Sequence, residues 1–98
     1  MRAIVFTAAM LAAAPAALAD EVVARSLAAT CANCHGPDGR SVTQAVKSLA
    51  GMPKREIVDT MQAFKAGKKP ATVMHQLAKG YSDVQIELIA AHFAALRK

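Results

Sequence analysis

The chain has 98 residues, 12 Lys and Arg against seven Asp and Glu, a net charge of +5, four aromatic side chains, no tryptophan and two cysteines. This is one small domain, near the size at which an ordinary apolar core only just suffices. The modest charge comes without an arginine-rich run or interleaved aromatics, which argues against nucleic-acid binding.

Met1-Arg2 is a short positive start, Ala3 to Ala14 is apolar apart from Thr7, and Pro15 precedes Ala17-Leu18-Ala19, the small-x-small form of a signal-peptidase site. The pattern predicts a secretory signal peptide over 1–19, cleaved after Ala19, and a mature domain over 20–98. An uncleaved anchor is the alternative, but Ala3–Ala19 is at the lower end of spanning length and is mostly weakly hydrophobic alanine. Loss of Arg2 with the leader leaves 11 basic residues against seven acidic ones, a net +4.

Asp20 to Thr30 starts with acids and carries Val23, Leu27 and Ala28 at helical spacing, which predicts an N-terminal helix. Ala24 and Ala28 give it a face of small residues over which another helix can cross closely. The next five residues, Cys31-Ala32-Asn33-Cys34-His35, contain both cysteines and form the pattern C-x-x-C-H, the attachment sequence for a c-type haem. Two thiols can add to the two vinyl groups on one porphyrin edge while the following imidazole reaches the iron. Random placement of the same residues yields this pattern about once in 1,600 arrangements. A dithiol redox centre leaves His35 without a role, and a zinc site completed by His75 and His92 needs histidines spaced unlike the usual short pairs.

Gly36-Pro37-Asp38-Gly39 is a turn signal, and Ser41 to Gly51 lacks a sustained period, so it is expected to be a loop along one side of the haem with Val46 and Leu49 nearest the ring. Ile57, Val58, Met61 and Phe64 share one face of a predicted helix over Pro53–Ala66, with Gly67 at C′ and Met61 as a core residue. Lys68-Lys69-Pro70 opens a second short helical segment, Ala71–Lys79, closed by Gly80. It carries two candidates for a second axial ligand, Met74 and His75, whereas Met52 lies just before the preceding helix. Ser82-Asp83-Val84-Gln85 has the form of a capping box that opens a last helix running to Arg97. Phe93 is expected to lie against the small face of the first helix, and His92 to face water.

With these residues in place, the chain resembles the small class I c-type cytochromes of bacterial periplasms over nearly all of Ala24–Leu96. The runs Ser48-Leu49-Ala50-Gly51 and Lys68 to Asp83 look most like the cytochrome subunit of flavocytochrome c sulfide dehydrogenase. The resemblance implies an all-α fold of three to four helices around one covalent haem c. It makes Cys31 and Cys34 the thioether sites, His35 the proximal ligand and Met74 the distal ligand. It also implies a monohaem periplasmic protein that passes single electrons between redox partners and has no catalytic acid, base or nucleophile of its own. The alternative within the same resemblance is the electron-accepting subunit of a sulfide-oxidising flavoprotein. No stable membrane insertion is expected after cleavage. Such proteins commonly have a proline whose carbonyl accepts the proximal histidine's Nδ1 proton; here that place is Lys47, which keeps the carbonyl but lacks the stiffness of the ring.

Overall fold

The computed structural model describes residues 2–5 and 16–98. Most of the apolar stretch of the expected leader lies outside the described residues. Helix α1 spans Ala16–Ala29, the single turn α2 spans Ala32–His35, and a 3-10 turn follows at Pro37–Gly39. After a long loop come α3 (Lys54–Lys65), α4 (Met74–Lys79) and α5 (Asp83–Ala94). There is no strand among the described residues, so the architecture is all-α, and no helix there is long and apolar enough to cross a membrane.

The expected elements are present, with ends that differ. α1 begins before Asp20 and runs across the expected cleavage point, so Asp20 and Glu21 sit in its second turn. Its exposed residues include Leu18, Val22 and Val23, and from Leu18 onward Ala24 is the first buried position. Pro53 precedes α3 as its N-cap residue, with φ −54° and ψ 135°, and Gly67 takes C′ with a positive φ. α4 is shorter than expected because its first regular turn starts only at Met74. α5 stops at Ala94, not Arg97: the Phe93 carbonyl receives the Gly51 and Leu96 amides, and Arg40 Nη2 donates to the Arg97 carbonyl at 2.9 Å. Bonds from the loop thus replace the last helical turn.

α5 packs against α1 on one side and α3 on another, and α4 packs on α3. The core joins Ala28 of α1, Ile57 and Val58 of α3, and Ile86, Ile89, Ala90 and Phe93 of α5. Phe93 and Ile86 are the largest fully buried side chains, each contributing roughly 1.5–3 kcal/mol by burial. As expected, Phe93 meets the small face of α1, and Met61 packs against the core.

The loop after the motif is pinched shut at its base. Gly39 O accepts from Leu49 N at 2.7 Å and from Ala50 N at 3.2 Å, and Gly51 N donates to Phe93 O at 2.8 Å. Gly39 holds φ +73°, and a Cβ there would sit 2.7 Å from Cε1 of Phe93. Only glycine lets the backbone lie flat on that ring.

Candidate haem site

The single turn α2 folds because its amides find carbonyls at once: His35 N donates to Cys31 O at 2.9 Å and Gly36 N to Ala32 O at 3.1 Å. Cys31, Cys34 and His35 occupy positions i, i+3 and i+4 and therefore share one side of the turn. Both cysteines are free; Cys31 is half-buried against the core and Cys34 is exposed. Burial pushes the Cys31 thiol above its ordinary range, opposed in part by a hydrogen bond with the Thr30 side chain. Gly36, at φ +87°, turns the chain away where any Cβ would overlap the Arg40 carbonyl.

His35 is half-buried, and its Nδ1 lies 2.6 Å from the carbonyl oxygen of Lys47. A carbonyl can only accept, so Nδ1 carries a proton, and the neutral ring in this tautomer presents its lone pair at Nε2, the form in which an imidazole binds a metal. The lysine therefore supplies the carbonyl contact that the resemblance assigns to a proline. Its side chain also does something a proline cannot: Lys47 Nζ pairs with Glu56 Oε1 at 3.3 Å.

The other candidate ligands lie on separate elements. Met74 is half-buried as the first residue of α4. His75, beside it, has Nε2 against the Lys69 carbonyl, and its ring centroid is 6.1 Å from that of Phe64. That contact engages one ring nitrogen of His75, whereas the Met74 side chain makes no hydrogen bond among the described residues. His92, expected to face water, is half-buried: it lies edge-on to Phe93 at 5.3 Å and lines an open cleft of about 220 Å³ with Arg25, Ala28 and Asp38. Among the described residues, no group of three or more His, Cys, Asp or Glu side chains is gathered to hold a metal ion. A thiol pair one turn apart, an imidazole with Nδ1 engaged and a thioether suit a haem by their chemistry.

Three contacts around this site were not expected from the chain. Tyr81 OH lies 3.0 Å from Thr30 Oγ1, joining the α4–α5 link to the end of α1. Lys65 donates to Tyr81 O at 2.5 Å and pairs with Asp83 at 3.6 Å, so it is spent inside the fold, whereas Lys68, Lys69 and Lys79 stay exposed.

The cytochrome c family model matches residues 22–96. The chain is 40% identical over 72 residues to the cytochrome subunit of sulfide dehydrogenase from Chlorobaculum tepidum, which covers 74% of this chain and 64% of that one. It is 33% identical over 88 residues to cytochrome c4 from Azotobacter vinelandii, covering 81% and 42%. To cytochrome c-553 from Desulfomicrobium norvegicum it is 31% identical over 72 residues, covering 70% and 89%. The chain thus spans less than two thirds of the length of the first two relatives. With the match running from α1 past the end of α5, this all-α chain belongs to the cytochrome c family of electron-transfer proteins, as a class I c-type cytochrome.

Proposed function

We propose that this is a periplasmic monohaem cytochrome that carries single electrons between redox proteins. The observation that carries the reading is the imidazole of His35, held at Nδ1 by the Lys47 carbonyl on a turn that also bears Cys31 and Cys34. Cys31 and Cys34 would hold the haem through thioethers, and His35 and Met74 would hold its iron. Bound there, the haem supplies a one-electron Fe(III)/Fe(II) couple. The protein's own part is to keep the ligands still and the pocket dry: Val58, Leu49, Met52 and Met61 supply apolar surface in or against the core cluster on which Cys31 also packs, and a thioether ligand favours the reduced state. Removal of residues 1–19 is in keeping with the exposure of the side chains on both sides of the cleavage point, from Leu18 to Val23.

The test is a spectrum of the purified, haem-loaded protein with and without Met74. Methionine ligation gives a weak band near the red end of the oxidised spectrum, and Met74→Ala should abolish it and lower the potential. Persistence of the band in Met74→Ala, with its loss in Met52→Ala or Met61→Ala, would show that another methionine binds.

A second reading, as the electron-accepting subunit of a sulfide-oxidising flavoprotein, is favoured by the 40% identity to a sulfide dehydrogenase cytochrome subunit. Exposed Val73 and Leu77, with Lys68, Lys69 and Lys79 about them, offer an apolar centre and cationic rim near Met74 for either kind of partner. Co-purification with a flavin-bearing chain from the native host decides for the subunit, and isolation as a single chain decides for the carrier.

A further inference from the structure

Lys47 takes part in two contacts at once. Its carbonyl oxygen meets His35 Nδ1 at 2.6 Å, and its Nζ meets Glu56 Oε1 at 3.3 Å. Around it the chain is irregular, with no helix or strand from Arg40 to Pro53. The nearest ties are the Ser48 hydroxyl, which accepts from Ser41 N at 2.9 Å, and the closure of the loop at Leu49 N and Gly39 O. Neither reaches the Lys47 side chain. Glu56, by contrast, stands in the first turn of α3 and is followed by Ile57 and Val58, both buried in the core. The pair therefore ties the least regular segment beside His35 to a backbone that packing has already fixed.

We propose that Glu56 is a positioning residue for the His35 imidazole, acting through Lys47. By holding the Lys47 side chain, Glu56 limits the rocking of the peptide whose carbonyl receives the Nδ1 proton, and so selects one rotation of the ring about its own axis. The inference rests on the reading of His35 as an iron ligand. Hydrogen bonding and orientation of a ligating histidine tune its metal, so the selected rotation is carried to the iron. Both side chains are substantially exposed, at 72% and 47%, so the tie is weak and salt weakens it further. Its loss should broaden the set of ring orientations without breaking ligation.

Proline at position 47 offers a covalent substitute, because its ring fixes φ without any partner. The Lys47 amide donates no hydrogen bond among the described residues, so the exchange removes none there. The experiment compares the paramagnetically shifted His35 ring signals of the oxidised, haem-loaded protein by proton NMR. Glu56→Gln at low ionic strength should shift or multiply those signals. Adding Lys47→Pro should return them to a single set near the wild-type positions, which a through-space effect of the lost charge would not do. Raising salt should move the wild-type signals toward those of Glu56→Gln and leave that variant nearly still. Signals unchanged in Glu56→Gln, or shifted but not restored by proline, overturn the inference. Should the proline variant fail to fold, the salt series decides: a response in the wild type alone supports the tie, and equal responses overturn it. Absence of any shifted His35 signal in the wild type would instead overturn the ligand reading itself.

Discussion

A methyl group at position 39 would meet the edge of Phe93, and the cost of that one contact can be placed. The Cβ would lie 2.7 Å from Cε1 and 2.8 Å from Cδ1 of a ring that is only 1% exposed, and the backbone there has φ +73°. Overpacking a core costs about 1–3 kcal/mol, and left-handed backbone at a residue with a side chain adds roughly 1–2 kcal/mol. Gly39→Ala should therefore destabilise the haem-loaded protein by about 2–5 kcal/mol in a denaturant titration, and a loss below about 0.5 kcal/mol would show that the ring moves aside freely. At this scale the chain was partly legible. A glycine pair around Pro37-Asp38 announced a turn, but the partner of Gly39 lies 54 positions away, and no local pattern could name it. The Lys47–Glu56 pair was hidden for the same reason, since two exposed charges nine apart become neighbours only once the loop has closed on α3.

At the scale of elements, the start of α5 shows local and tertiary signals agreeing. Ser82 accepts from Gln85 N at 3.2 Å while Gln85 Oε1 accepts from Ser82 N at 2.9 Å, the reciprocal capping box that the chain announced. Asp83, the next residue, is bound by Gln62 Nε2 at 2.8 Å and faces Lys65 Nζ at 3.6 Å, both from α3. The Gln62 hydrogen bond first, and the Lys65 charge second, hold its carboxyl below its ordinary value of 3.8. A depressed folded-state value means that Asp83 adds stability above the unfolded value and loses it as pH falls through the folded one. Asp83→Asn should therefore be less stable than the wild type near neutral pH, with the gap narrowing as pH drops below the ordinary carboxylate range. Melting curves of both proteins across that range check this, and a gap independent of pH would remove Asp83 as its cause. Periodicity and capping located each helix here, whereas the end of α5 depended on Gly51 and Arg40 reaching it from the loop. Helix ends set by bonds from distant segments leave no trace in a local window.

For the whole molecule, the question is what completes so small a core. Its buried apolar residues include Ala24, Ala28, Ala50, Ala78 and Ala90, with Phe93 and Ile86 as the largest that are fully enclosed. Alanine loses little side-chain entropy but buries little surface, so helices packed through it approach closely and gain little from the hydrophobic effect. Around this minimum sit Cys31, Leu49, Met52 and Met61, all partly buried and all packed against the core. A haem bound among them would enclose these side chains and link α1, the loop and α3 through one rigid body. Binding confined to the folded state stabilises it, and a covalent link makes the local concentration of the group effectively saturating. Preventing attachment with Cys31→Ala and Cys34→Ala together should then leave a chain with weak helical circular dichroism and no cooperative melting. The single change Cys34→Ala, at an exposed position, keeps the apolar surface of Cys31 and one thioether. It should retain haem and fold with reduced stability. Native-like helicity and a sharp transition in the haem-free double variant would mean that the alanine-rich helix contacts alone suffice, and that the group is carried by the fold without completing it.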